Sequence, residues 1–254
     1  MKKSIQIIAT AFAILLGNVG FSQVDSVYIV KGDSVLAVYA TTDVDSVIFY
    51  NPNPIDTTTN STITDADGNV YTSLTIGTQE WMTENLRTSK YSDGTSIPNV
   101  TGNTDWSNLS TGAWSHYDND SSQYESMYGK LYNWYAVNTS KLCPTGWHVP
   151  TDAEWTVLTD YLTANGHSGA EGTALKATSG WNSGIGTDDY GFLGLPGGHR
   201  YSNGNFNNIG SYGDWWSSSQ KYTYNAWGRR MTSNNYYVYR SSNYKSKFSD
   251  RSRQ

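Results

Sequence analysis

Cys143 and His148 stand five residues apart in the stretch Leu142-Cys143-Pro144-Thr145-Gly146-Trp147-His148-Val149-Pro150-Thr151-Asp152-Ala153-Glu154-Trp155. A thiol beside an imidazole is the raw material of covalent catalysis, but the chemistry needs the base in contact and a third group to orient it. Closeness in sequence supplies neither, so a buried, inert thiol is favoured. His116, His148, His167 and His199 show no His-x-x-x-His spacing, which disfavours zinc. Asp65-Ala66-Asp67-Gly68-Asn69 lacks the spacing and distal glutamate of a calcium loop and reads as a β-turn. Asp188 and Asp189, in a glycine-rich loop, have oxygens suited to Ca²⁺ but read more simply as solvated acids. There is no Gly-x-Ser-x-Gly elbow and no phosphate-cradling loop. A carboxylate pair for glycoside hydrolysis is defined by separation in space, so sequence leaves it open. No metal and no cofactor is expected.

The remaining chemistry is aromatic. The chain holds 20 tyrosines and 10 tryptophans, and planar rings stack on sugar faces or anchor protein partners. The candidate ligand-binding residues are Trp181, Tyr190, His199, Arg200, Tyr201, Trp215 and Arg230, most of them in or beside the glycine-dense region 180–213. For any one ring a core position is favoured over a binding role.

The elements that must carry these residues are legible in part. Thr151 followed by Glu154 is a capping box: hydroxyl and carboxylate each satisfy a free amide at a helix start. Trp155, Leu158 and Leu162 then recur at helical spacing, and Gly166 offers a left-handed stop. Tyr128, Leu131, Trp134 and Tyr135 are spaced for an earlier helix, and 172–178 for a short turn of one. Strands are expected at 70–76, 80–86, 214–218, 226–231, 236–240 and 245–249, with a hairpin at Ser92-Asp93-Gly94 and a loop over 99–122. Strands, two helices, a long loop region and strands again predict an α+β domain whose opening and closing strands meet in one antiparallel sheet.

Residues 1–22 read as a cleaved secretory signal, with Lys2 and Lys3 before an apolar run from Ile5 to Leu16 and small residues Gly20 and Ser22 before Gln23. That run is too short to span a bilayer, which takes about 20 apolar residues. Mean hydropathy is −0.56, and no other segment is apolar enough for a transmembrane helix. Loss of the two lysines makes the chain more acidic than its net −5, and no basic run marks a nucleic-acid site. Residues 23–50 are expected to form a small β segment with strands at 27–30, 34–39 and 46–50, and 51–62 a linker. The main domain is placed at 63–254. An extracellular, cell-surface or periplasmic location is expected.

Several ordered blocks carry a family likeness. They are Asp67-Gly68-Asn69-Val70-Tyr71, Gln79-Glu80-Trp81-Met82-Thr83-Glu84-Asn85-Leu86, Tyr128-Gly129-Lys130-Leu131-Tyr132-Asn133-Trp134-Tyr135, the Cys143–Trp155 stretch, Gly191-Phe192-Leu193-Gly194-Leu195-Pro196-Gly197-Gly198-His199-Arg200, and Trp215-Trp216-Ser217-Ser218-Ser219. With these blocks the chain resembles the Fibrobacter succinogenes major paralogous domain family over roughly residues 63–252. That family is similar to the C-type-lectin-like superfamily, whose formylglycine-generating branch shares the look of Val149-Pro150-Thr151-Asp152-Ala153-Glu154-Trp155. The resemblance implies a C-type-lectin-like α+β domain with two main helices, a long loop region and antiparallel strands, preceded by a small β segment. It also implies that a C-terminal cysteine pairs with Cys143 in relatives. Here Ser252 stands at that place, so Cys143 is expected to have no intrachain partner and to lie near Ser252. Thr151, Glu154, Trp155, Cys143 and Ser252 are taken as structural. Formylglycine-generating chemistry depends on two cysteines, and the chain has one. The Ca²⁺-dependent sugar motifs of true lectins are absent. The expected function is a non-enzymatic exported interaction module, with a glycan first and a cell-surface protein next among partners. An envelope enzyme acting on polysaccharide and a purely structural envelope protein are the alternatives.

Overall fold

A computed structural model describes residues 63–184 and 186–245, together with the backbone of three strands nearer the N-terminus. The chain divides into two compact units, Met1–Pro54 and Ile55–Gln254. In the first, β1 (Ile5–Ile8), β2 (Ser26–Lys31) and β3 (Ser34–Ala40) form an antiparallel sheet in that order. Thus Ile5–Ile8, expected inside the apolar stretch of a signal, is paired with β2 in the full-length chain. The expected strand at 46–50 lies outside the described residues, as does Ser252, so the expected Cys143–Ser252 proximity falls outside them too.

The second unit opens with two hairpins, β4 (Ile63–Thr64) with β5 (Val70–Tyr71), then β6 (Ser73–Ile76) with β7 (Gln79–Met82). The Asp65–Asn69 turn is locked by its own carboxylate. Asp65 Oδ1 accepts from the Asp67 and Asn69 amides at 2.9 Å each, and Oδ2 accepts from Asn69 Nδ2 at 2.9 Å and the Tyr71 hydroxyl at 2.7 Å. Both oxygens are occupied by protein donors, which is the turn reading in physical form.

The stretch 99–122 is more ordered than a loop. It contains α1 (Asn103–Ser107), β8 (Trp114–Ser115), a single tight turn of helix at Tyr117–Asn119, and the start of α2 (Ser121–Tyr128). The expected helix through 128–135 is replaced by the end of α2, then β9 (Leu131–Tyr132) and α3 (Trp134–Val137). Gly129 decides this. Its φ is +69°, and a Cβ there would lie 2.5 Å from the Leu86 carbonyl oxygen, so the chain turns where only glycine fits. β9 pairs with β8, and Asn133 restarts the helix by accepting the Ala136 amide at 3.1 Å.

Helix α4 (Asp152–Leu162) begins where the capping box put it. Thr151 Oγ1 accepts the Glu154 amide at 3.1 Å, and Glu154 Oε2 accepts the Thr151 amide at 2.6 Å. It buries Trp155, Leu158 and Leu162, then loosens into a wider turn at Thr163–His167. The short α5 (Glu171–Leu175) follows.

The remaining strands form one five-stranded, mostly antiparallel sheet. β10 (Gly197–Arg200), β11 (Phe206–Ile209), β12 (Tyr212–Tyr222), β13 (Asn225–Thr232) and β14 (Tyr239–Tyr244) lie in the order β11-β10-β12-β13-β14, with only β10 and β12 parallel. The opening strands do not join it, contrary to the expected single sheet: β12 already has β10 and β13 as neighbours, so no edge next to it is free. They meet the sheet through side chains. Because successive strand residues point to opposite faces, Trp215 and Trp216 enter two different cores. Trp216 joins Ile63, Tyr71, Met82, Leu86, Tyr132 and Trp134. Trp215 joins Trp81, Trp155, Leu158, Phe192 and Met231. Indole N–H groups stitch the layers: Trp155 donates to the Trp216 carbonyl at 3.2 Å, Trp216 to that of Tyr132 at 3.1 Å, and Trp134 to that of Ser217 at 2.9 Å. The second unit is therefore an α+β domain with a sheet covered on both faces. Among the described residues, no helix is long and apolar enough to cross a membrane.

Candidate functional site

Three of the expected ligand-binding rings are core. Trp181 and Tyr190 are buried, and Trp215 is 0% exposed. Trp181 donates its indole N–H to the Gly194 carbonyl at 3.0 Å, and Trp215 packs on Trp155 and Phe192. None presents a face for a ligand to stack on. Arg200 is also corrected to a structural role. Its guanidinium is sandwiched between Trp106 and Phe206, at 4.4 and 4.6 Å from the ring centroids. It donates to the carbonyls of Gly204, Val100 and Thr101 at 2.8, 2.5 and 2.8 Å, tying β10 to the loop before α1. Burial lowers its pKa to about 10.

His199, Tyr201 and Arg230 do come together, through a residue the sequence reading did not select. Asp214 on β12 accepts Arg230 Nε at 2.6 Å and lies 2.9 Å from His199 Nδ1. Tyr201 packs edge-on against the His199 ring at 4.5 Å, and the Arg230 guanidinium lies 4.7 Å from the Tyr212 ring centroid. Tyr239 stands directly opposite Arg230 in the ladder, so both project from one face. The row Tyr201, His199, Asp214, Arg230, Tyr239 thus crosses four strands and the loop after β10, buried at its centre and exposed at both ends. A His–Asp pair can serve as a base and its orienting acid. Here the imidazole is 0% exposed and its Nε2 lies 3.5 Å from the Asn208 amide nitrogen, so the pair ties β10 to β12 inside the domain.

The exposed aromatic surface is made mostly by residues that sequence reasoning missed. Tyr222, Tyr224, Tyr236, Tyr237, Tyr239 and Tyr244 are all exposed, Tyr224 to 71%. On the face carrying α4, the helix covers the sheet as far as a charged clasp. Asp152 accepts Arg229 Nη1 at 2.7 Å and Arg240 Nη2 at 2.6 Å. Burial would raise the Asp152 pKa, but these two guanidinium groups outweigh it and hold the carboxyl below the ordinary carboxylate range. Beyond the clasp the strands run on to the hairpin at Thr223–Tyr224. There Trp227 lies 3.5 Å from Arg240 and 4.2 Å from Lys221, measured to its ring centroid. Tyr222 and Tyr244 flank Asn225 in the next row of the same face. The available signal was compositional: six tyrosines in 222–244, most of them around strand ends.

Cys143 and His148 share the wall of a cavity of about 200 Å³ with Val137, Ser140, Leu142, Val149 and Ser218. Cys143 is buried and free, and burial pushes its thiol pKa up, away from the thiolate that a nucleophile needs. His148 Nε2 lies 3.0 Å from Glu154 Oε1, so it braces the helix cap. Asp188 is occupied by the Leu193 amide, accepted at 2.8 Å, and Asp189 faces His167 at 3.6 Å. Among the described residues no group of three or more His, Cys, Asp or Glu is placed to hold a metal ion.

The family model described as the Fibrobacter succinogenes major domain matches residues 74–252. The chain belongs to that family. The matched region contains the whole of the Trp215 core, the Trp216 core apart from Ile63 and Tyr71, the Asp152 clasp and the exposed tyrosines 222–244. Neither the comparison with curated proteins nor that with solved structures returned a match.

Proposed function

We propose that this protein is an exported, non-enzymatic module of C-type-lectin-like architecture that binds carbohydrate through exposed tyrosines of its terminal sheet. The observation that carries the reading is the set of solvent-exposed rings about the last two hairpins: Tyr222, Tyr224 and Tyr244 at the 223–224 turn, and Tyr236, Tyr237 and Tyr239 at the turn between β13 and β14. A tyrosine exposed on a strand gains little for folding, while its flat apolar face and hydroxyl suit the C–H face and hydroxyl rim of a sugar. A rigid sheet holds such rings in place before the ligand arrives, which lowers the entropic cost of binding. Against an enzymatic role stand the buried thiol of Cys143 and the enclosed His199.

The test is a glycan array probed with the purified chain, with and without Ca²⁺, followed by titration of the best ligand against Tyr239→Ala and Tyr222→Ala. Binding that is independent of Ca²⁺ and weakened in either variant, with unchanged melting temperature, supports the reading. A silent array with capture of a specific protein partner refutes it. Turnover of a polysaccharide by the chain would favour the envelope-enzyme alternative.

A further inference from the structure

From the proposed glycan-binding role we infer, resting on that reading, that the ligand is an acidic polysaccharide, one whose sugars carry carboxylate or sulfate groups, and that Lys221 recognises the charge beside Trp227. The chain as a whole is acidic, with 22 Asp and Glu against 17 Lys and Arg. From Trp215 to Lys245 this balance inverts: Lys221, Arg229, Arg230, Arg240 and Lys245 occur with no aspartate or glutamate among them. Within it, Lys221, Tyr222, Trp227, Arg240 and Tyr244 lie together on the face carrying α4, toward the 223–224 hairpin, whereas Arg230 and Tyr239 lie on the other face.

The carboxylate that reaches this end of the α4 face is Asp152, and it is engaged by two guanidinium groups at once. Two cations against one carboxylate leave an unbalanced positive charge at the clasp. Lys221 adds a second. Its ammonium rests over Trp227 and Tyr222, at 4.2 and 5.1 Å from their centroids, with no carboxylate within ion-pair distance among the described residues. Ring faces hold an ammonium without neutralising it, so the cation stays available to an anion. A sugar stacked on Tyr222 or Tyr244 sets its substituents within a side-chain length of Lys221 and Arg240. Neutral sugars offer these cations only hydroxyl acceptors, which leave the charge uncompensated. A carboxylate or sulfate completes them, which is the charge complementarity that selects an acidic ligand. Single-stranded nucleic acid also combines rings with negative charge, and it is the competing occupant that the experiment must exclude.

The experiment measures binding of the full chain to polygalacturonate, dextran sulfate, unsubstituted dextran and an oligothymidylate, in low and raised salt. The expected result is tighter binding to one or both acidic polymers than to dextran, weakened by salt. Lys221→Gln is expected to weaken that binding about fivefold, while Lys141→Gln, which removes a cation paired with Asp93 elsewhere, leaves it unchanged. Binding to polygalacturonate alone identifies carboxylate as the group read, and binding to dextran sulfate alone identifies sulfate. Equal affinity for dextran and the acidic polymers, or no effect of Lys221→Gln, overturns this inference and leaves carbohydrate binding standing. Equal or tighter binding of the oligothymidylate overturns it as well. Binding to none of the polymers, together with a silent glycan array, removes both readings.

Discussion

Replacing Asp152 with alanine separates two charges that look equivalent in sequence. Its carboxylate accepts from Arg229 at 2.7 Å and from Arg240 at 2.6 Å. The Arg229 side chain is only 3% exposed, whereas that of Arg240 is 50% exposed. Removing one partner of a buried pair leaves an uncompensated charge and costs about 3–5 kcal/mol. An exposed pair contributes about 1 kcal/mol or less. Loss of an acid from the first turn of α4 adds roughly 0.3–1 kcal/mol through the helix dipole. Asp152→Ala should therefore destabilise by about 3–5 kcal/mol, a large share of the 5–15 kcal/mol typical of a domain. Arg240→Ala should cost about 1 kcal/mol or less. The double variant Asp152→Ala with Arg229→Met should recover much of the loss, since apolar replacement of a buried pair is often close to neutral. Urea unfolding followed by tryptophan fluorescence reads all three, because Trp155 and Trp215 lie under the clasp. The pH dependence has a defined sign. A carboxyl whose folded pKa is depressed contributes its full stability above the unfolded value, near 4, and loses it as pH falls through the folded value. Asp152→Ala should flatten that acid limb. The reasoning is refuted if Arg240→Ala costs as much as Asp152→Ala, or if Asp152→Ala costs under about 1 kcal/mol.

Three further outcomes follow from single contacts. Thr151→Ala removes the acceptor for the Glu154 amide and should cost about 1 kcal/mol, read as a lower urea midpoint with unchanged slope. Cys143 should resist a thiol reagent near neutral pH in the folded chain and react promptly in urea, because burial raises its pKa; fast labelling of the native protein would contradict this. Arg200→Lys should destabilise markedly despite keeping the charge, since a lysine cannot serve three backbone carbonyls and two aromatic faces from one planar fork. A melting temperature unchanged by that substitution would show that the carbonyls find other donors.

Local chemistry was readable wherever a few neighbouring residues settle the conformation. The capping box at Thr151 and Glu154, the apolar stripe of α4, the Asp65–Asn69 turn and the Ser92–Gly94 hairpin are all of this kind. In the last of these, Gly94 donates to the Tyr91 carbonyl at 2.9 Å and Lys90 bridges to Ser96. The misread helix at 128–135 failed because helical spacing of Tyr128, Leu131 and Trp134 says nothing of the Leu86 carbonyl that forces a glycine turn at 129.

The sequence alone also determined that Trp215 and Trp216 point opposite ways, since strand geometry alternates whatever surrounds it. It did not determine which aromatics are covered. Alternation distinguishes two faces without saying what packs on either, and here α4 covers one of them up to its first residue, Asp152. Trp181, Tyr190 and Trp215 fell inside that boundary, while Tyr222, Tyr224 and Tyr244 fell beyond it. Only the tertiary placement of one helix against three strands fixes that limit. Burial is a property of the partner surface, and the partner of each face lies dozens of residues away along the chain.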